Sequence, residues 1–415
     1  MSKRSKMTRN AFAKYFRRLL RQHGVKEKIT YDRDNFMLRC SEHKINLNNV
    51  YENYCATDSE NRKACLDEYL SIFTSIPVIP DSFDRAKTHI SLRLHHRYES
   101  DQLEIINSTV RAEDLTIPYR LITEDLWITL SFETDNAFIG ICQDTLDCWG
   151  VTFDQAYNTA LSNLMAKSSP SFIRHPSGFY HSSWLDKCDA TRIVIPEMIQ
   201  QLKVTGLHVI TVPNRNALCV CGSDDYEALR TMVQYTLETY QKFPYAICTS
   251  PYVWDGETWR PFLPVCDHPI LRQIRTLHLY NQSHGYDTQK YLLDEHHKNV
   301  GETIHVADFN AHIKVGEEDP FVISSWIAGA RTLLPRTDHV GFVFQIDGIF
   351  QTGIATWDRV MEAYGHMMQP QGYYPERFLV EEFPPIDQVL EVVQDIQPTD
   401  IDPARIQAIC EGEIR

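Results

Sequence analysis

The chain has 415 residues, of which 43% are apolar and 23% charged, and a formal charge of −14. This is the composition of a folded protein of two or three domains. It excludes a disordered chain, which buries too little apolar surface to offset backbone ordering, and 17 Gly with 20 Pro exclude a collagen-like or low-complexity polymer.

No run approaches the roughly 18 to 20 consecutive apolar residues of a membrane-crossing helix, so an integral membrane protein is not expected. The basic N-terminus interrupts its apolar residues with Lys14, Arg17, Arg18 and Arg21, unlike a secretory signal, and a cytoplasmic location is expected. Eleven scattered cysteines fit reduced, buried thiols better than a disulfide framework. Residues 1–30 hold ten Lys and Arg against Glu27, a net +9, which leaves −23 for the rest. That acidic body repels phosphate, so nucleic-acid binding is confined to the N-terminal helix if it occurs at all. An internal partner for the basic helix is at hand, since residues 375–415 carry ten Asp and Glu against three Arg.

In chain order, Phe12, Tyr15, Phe16, Leu19 and Leu20 recur at helical spacing between Asn10 as cap and Gly24 as stop, predicting an amphipathic helix over 11–23. Its basic face suits an anionic surface. A helix laid on a sheet with Lys and Arg outward is the preferred expectation. The remainder returns to one device, two β-rich runs joined by a polar turn and followed by a helix. KITYD and FMLRC (28–40) precede a helix from Asn48 or Asn49, with a second helix ending near Phe73. LWITLSF (126–132) and FIGIC (138–142) precede a capping box at Thr152 and Gln155, opening a helix that buries Ala156, Tyr157, Ala160, Leu161 and Leu164. LHVITV (207–212), the turn Pro213-Asn214-Arg215-Asn216 and ALCVC (217–221) lead to a helix opened by Asp224 and Glu227. HVGFVFQI and IFQTGIA flank Asp347-Gly348, a dipeptide suited to a type I′ hairpin turn, and a helix over Trp357, Val360, Met361, Tyr364 and Met368 follows. A further hairpin is expected around Asn310 (303–315), with a helix or tight loop over 324–331.

These units predict an α+β fold, mostly antiparallel sheets built from repeated hairpin-then-helix units with the helices packed on one face. Turn-rich stretches at 168–183 and 243–269 mark boundaries. The expected division is a basic helix (1–27), an N-terminal α+β domain (28–180), a second α+β unit (181–266), a C-terminal α+β domain (267–374) and an acidic, proline-rich tail (375–415) with one short helix near 386–396.

The sequence lacks Gly-Lys-Ser/Thr, G-x-G-x-x-G after a strand, H-E-x-x-H, C-x-x-C, a G-x-S-x-G elbow and an EF-hand loop. Cys219 and Cys221, two apart on a strand, put both sulfurs on one face about 6.6 Å apart. As thiolates they can contribute to a soft-metal site with Cys188, Cys266, His181 or His268; as small apolar residues they belong to a buried strand, the preferred expectation. Adjacent pairs His95-His96 and His296-His297 are read as helical, so that at most one of each pair faces a cleft. Tyr252, Trp254 and Trp259 form an aromatic loop that is either an exposed protein-binding anchor or a lid over a core. With the polar turn Asn214, Arg215 and Asn216, these aromatics are the candidate binding residues.

Several stretches carry a likeness: ITYDRDNFMLRC (29–40), INLNNVYENY (45–54), SIPVIPDSF (75–83), LDCWGVTFDQAYNTALSNL (146–164), GLHVITVPNRNALCVCG (206–222) and SPYVWDGETWRPF (250–262). In their order and spacing, residues 11–262 resemble the bacterial YtpQ-like family, whose function is unknown. The resemblance implies an intracellular bacterial α+β protein and no particular reaction. The family pattern has Arg after the Pro-Val-Ile triplet, where this chain has Pro80, so a binding role at that position is not carried over. Missing catalytic motifs, together with a basic helix at one end and an acidic tail at the other, lead to the expectation of a non-enzymatic adaptor that binds another protein and holds no cofactor. The alternative is an enzyme with a Cys/His thiol or metal site formed between domains.

Overall fold

The computed structural model describes residues 7–25, 28–33, 36–40, 43–74, 79–99, 116–134, 138–263, 268–314, 320–393 and 401–402. The first helix runs Arg9–Gln22 and begins two residues earlier than its apolar spacing suggests, because Thr8 and not Asn10 caps it, through its hydroxyl. Phe12, Phe16 and Leu20 are buried, while Lys14 and Arg18 stay exposed. Their cover is a three-stranded antiparallel meander (Ile29–Asp32, Met37–Cys40, His43–Asn46) and the helices Asn48–Ala56 and Arg62–Thr74, through Leu38, Ile45, Leu66 and Leu70. The basic helix is thus a helix laid on a sheet.

Two antiparallel sheets follow. In the first, Ile90–His96 pairs with Leu126–Glu133, which is flanked by Tyr119–Leu121 and Phe138–Gly140. The second has six strands, in the order Trp259–Pro261, Tyr252–Trp254, His208–Asn214, Ala217–Gly222, Tyr180–Ser182 and Phe172–Arg174. Strand side chains alternate between faces, so each apolar run splits cleanly. Leu92, Leu94, Ile128 and Leu130 of the first sheet share one core with Ile210, Val212, Leu218 and Val220 of the second. Burying each such side chain contributes about 1.5–3 kcal/mol. The helix Phe153–Ala166 covers this core with Ala156, Tyr157, Ala160 and Leu164, and the expected capping box at Thr152 and Gln155 is present. The other face of the six-stranded sheet carries Val209, Cys219 and Cys221 against Leu229, Met232 and Val233 of the helix Tyr226–Lys242. The fold class is α+β with mostly antiparallel sheets.

The helix Ile270–Val300 has 31 residues. At 1.5 Å per residue it spans about 46 Å. Its first half packs Ile274 and Leu277 under the helix Tyr226–Lys242; farther along, Tyr286 stacks on Phe309 at 4.6 Å, and Leu293 meets Val306 and Leu333. Beyond it lie a five-stranded sheet (Ile349–Thr356, His339–Ile346, Pro320–Ile327, Asn310–Lys314, Ile401–Asp402) and a four-stranded one (His305–Val306, Thr332–Pro335, Arg377–Val380, Gln369–Pro370). Asp347 and Gly348 take φ of 51° and 78°, so the hairpin between Ile346 and Ile349 closes through the positive angles its sequence demands.

Residues 324–327 correct the expected helix or tight loop over 324–331. They end the strand Pro320–Ile327, which runs parallel to His339–Ile346, and its Phe-Val-Ile-Ser-Ser-Trp-Ile run buries Val322, Ser324 and Trp326 on alternate positions. The helix Ile386–Val392 agrees with the short helix expected in the acidic tail; residues 394–400 and 403–415 lie outside the described residues.

Candidate functional site

A cavity of about 620 Å³ opens where the first antiparallel sheet, the long helix and the C-terminal sheets meet. Asp125 forms part of its wall. The residue closes a turn in which the Thr123 hydroxyl accepts from the amides of Asp125 and Leu126, at 3.2 and 3.0 Å. This fixes the carboxylate at the mouth of the strand Leu126–Glu133, where it is only 7% exposed. Its Oδ2 accepts from the hydroxyl of Tyr252 at 2.6 Å, and its Oδ1 accepts from the hydroxyl of Tyr374. Burial, reinforced by the adjacent Asp125, pushes both phenols well above their usual range, so they stay protonated and donate. Arg97 lies over the Tyr374 ring at 4.3 Å.

His96 stands beside this group, buried at the end of the strand Ile90–His96. Its Nδ1 accepts from the Tyr98 amide at 3.2 Å, and its Nε2 lies 2.9 Å from the carboxamide of Asn281 on the long helix. Burial pushes the imidazole down to about 4 despite the attraction of Asp125 and Glu99, so the ring is neutral at ordinary pH. His278, one turn before Asn281, hydrogen-bonds the Phe262 carbonyl through Nε2 at 3.3 Å and is likewise held low by burial. Glu124 is pushed upward, by burial first and then by Asp125. The far wall carries Arg336, 3.7 Å from Glu376, and Asp338, which accepts from the Val322 amide at 2.7 Å.

The strap bearing Tyr374 is held in place from beneath. Tyr286 donates to the Glu376 carbonyl at 2.9 Å and Gln289 to the Pro375 carbonyl at 3.0 Å. Arg377, fully buried, donates to Gln289 Oε1 at 2.5 Å and to the carbonyls of Ala307, Leu333 and Tyr286 at 2.8, 3.1 and 3.3 Å. Burial lowers its guanidinium to about 10. Four described carboxylates and two guanidiniums line the cavity, with neutral histidines and amides between them. Such a wall attracts a positively charged, hydrogen-bonding molecule and can exchange protons with it through Glu124 and the imidazoles.

The sequence-chosen residues are dispersed. Tyr252 faces Asp125 from within the core. Trp259 is 4% exposed and donates its indole N–H to the Ile193 carbonyl at 3.0 Å; half-buried Trp254 packs edge-on against it at 5.1 Å. The aromatic loop is therefore a two-stranded ribbon turned into the core, and not an exposed anchor, because its rings complete the layer between the sheets. Asn214 and Asn216 shape their own turn through an Asn214 Oδ1 to Asn216 amide bond of 2.9 Å. Arg215 reaches a second cavity.

Cys219 and Cys221 share a face, as their spacing requires, but that face is the dry layer under the helix Tyr226–Lys242. Burial pushes Cys219 up to about 12 and Cys221 well above the usual thiol range. His181 pairs across the sheet with Cys219, Cys188 is fully enclosed in the core shared by the first two antiparallel sheets, and His268 stacks on Tyr226 at 4.3 Å. Cys266 lies outside the described residues. Among the described residues no three His, Cys, Asp or Glu side chains converge as metal ligands.

The pair His95-His96 lies on a strand and not on a helix, so both imidazoles face cavities, on opposite sides of the sheet. Asp125, Asn281 and Tyr374 escaped the sequence, since no spacing links positions so far apart. A signal for His96 was the alternation in ISLRLHH. No family model, curated protein or solved structure matches the chain.

Proposed function

We propose that the chain binds a small, polar, positively charged molecule in the 620 Å³ cavity at the junction of its N- and C-terminal sheets. The observation that carries this reading is the Asp125 carboxylate, buried at the cavity wall and oriented by Tyr252 and Tyr374, which lie far from it and from each other along the chain. A carboxylate has about four acceptor positions, and two phenols leave capacity for an ammonium or hydroxyl group. Glu124, Asp338 and Glu376 add to the same sign of field. The inward-turned aromatic ribbon favours this reading over an adaptor held by a protein partner, which was the expectation from sequence.

The test is native mass spectrometry of protein purified under reducing conditions, followed by thermal shift with spermidine, glucosamine and their uncharged counterparts. A bound mass, or a shift confined to the amines and lost in Glu124→Gln and Asp338→Asn, supports the proposal. Uniform indifference to amines, with no bound mass, removes it.

A further inference from the structure

The polar side of the first sheet has a cavity of its own, about 500 Å³, roofed by the N-terminal module. Strand alternation that sends Leu92 and Leu94 into the core turns Ser91, Arg93 and His95 the other way, opposite Ser131, Thr129 and Trp127. Ser91, Thr129 and Ser131 are buried, although a sheet's polar face ordinarily meets solvent. The roof is tied on by hydroxyls: Tyr69 and Tyr245 lie 2.6 Å apart, and Asn53 donates to Tyr245 at 3.1 Å.

Among the described residues, the charge lining this space has one sign. Arg93, Lys187 and Arg215 line it, and no lining residue among those described is a carboxylate. Arg93 donates to the Lys187 carbonyl at 2.7 Å and sits 4.1 Å from the Phe138 ring centroid. Arg215 lies 3.3 Å over the Tyr245 ring, and its Nε is buried with no hydrogen-bond partner. Burial, and with it the charge of Arg93, draws Arg215 below the usual guanidinium range. Neither arginine forms an ion pair with a described residue. Two guanidiniums gathered in a half-enclosed space of an otherwise acidic protein repel one another, and that arrangement is stabilised by an anion.

We infer that this cavity is a binding site for the phosphate group of a small phosphorylated molecule. A phosphomonoester carries about −1.5 to −2 charges and three acceptor oxygens, enough to engage two guanidiniums and an ammonium together. A carboxylate, with one charge and two oxygens, satisfies a single guanidinium fork. The volume exceeds what inorganic phosphate fills and leaves room for a body of sugar size beside Ser131, Thr129 and the Tyr69 hydroxyl. This site lies on the opposite side of the sheet from the junction cavity, so its occupancy is independent of the function proposed above.

Calorimetric titration of the full chain with inorganic phosphate, ribose 5-phosphate, ribose and acetate, at constant ionic strength, tests the assignment. Ribose 5-phosphate is expected to bind more tightly than inorganic phosphate, with affinity falling as salt rises, while ribose and acetate do not bind. Arg93→Gln and Arg215→Gln each weaken phosphate binding by about tenfold or more, the value of one charged hydrogen bond. Arg93→Lys, which keeps the charge, retains more affinity than Arg93→Gln, and the exposed-site variant Lys242→Gln matches wild type. Circular dichroism reports whether each variant folds, and phosphorus NMR line broadening on wild-type protein gives a readout independent of them. Acetate binding as tightly as phosphate, equal affinity in wild type and both glutamine variants, or absence of phosphate binding to the folded wild type overturns the proposal.

Discussion

Asp125 accepts a hydrogen bond from the hydroxyl of Tyr374, 249 positions farther along the chain, and the same carboxylate accepts from Tyr252 at 2.6 Å. A buried carboxylate that loses one of two donors is left partly unsatisfied. Tyr374→Phe and Tyr252→Phe are each expected to lower stability by about 1–3 kcal/mol. A double-mutant cycle with Asp125→Asn, followed by urea unfolding, is expected to show strong non-additivity; independent effects would place the phenols outside this group's energetics.

The buried imidazole of His96 predicts an acid limb. Its pKa falls from 6.5 in the open chain to about 4 when folded, so the unfolded state binds more protons between those values. The stability it confers is complete above pH 6.5 and is lost as pH falls toward 4, by about 3 kcal/mol. His278 and His284, both lowered by burial, act in the same direction. Urea unfolding from pH 7 to pH 4 is expected to give a shallower decline in His96→Gln than in wild type, and parallel curves would contradict the assignment.

Among the described residues Arg377 donates to neutral acceptors, drawn from the long helix, the strand Thr332–Pro335 and Ala307 just past the strand His305–Val306. Arg377→Met removes a charged donor from four buried oxygens, of which the Leu333 carbonyl keeps the Ala307 amide, and a loss of about 3–5 kcal/mol is expected. Arg377→Lys, with three donors on one nitrogen, is expected to recover part of it. Chemical denaturation reads both.

Thiol accessibility gives a fourth check. Cys148 is exposed, whereas Cys188, Cys219, Cys221 and Cys248 are buried, and burial raises all four buried thiols. Alkylation of native protein, mapped by peptide mass, is expected to label Cys148 early and those four only at the rate of unfolding. Rapid native labelling of Cys219 or Cys221 would reopen the thiol-site alternative.

Local chemistry made much of the fold legible. The Asp347-Gly348 turn, the Thr152 capping box and the alternation in ALCVC each depend on neighbours within a few residues, and each appears where its sequence places it. The strand Pro320–Ile327 was harder to read. Its Ser324 and Ser325 weaken the apolar signal, and its partner Ile323↔His339 pairing is parallel and distant. The helix Ile270–Val300 divides its apolar contacts between two different cores, so no single stripe announces it. The candidate site was the least legible part. Tyr252 was chosen as an anchor for a partner, yet its hydroxyl is spent on a carboxylate 127 positions away. Histidines read as a helical pair divide between two cavities because a strand, unlike a helix, sends neighbours to opposite sides.

The strap that carries Tyr374 also sets an order of events during synthesis. Chains emerge N-terminal end first, and the two sheets that present Asp125 and Tyr252 are made long before residue 374. Until then the Oδ1 of Asp125 has lost no water, and the cavity lacks its outer wall. A nascent or truncated chain ending before Arg377 therefore presents an open, hydrated cleft where the finished protein has a chamber. Whatever occupies that chamber is enclosed only once the strap has been translated.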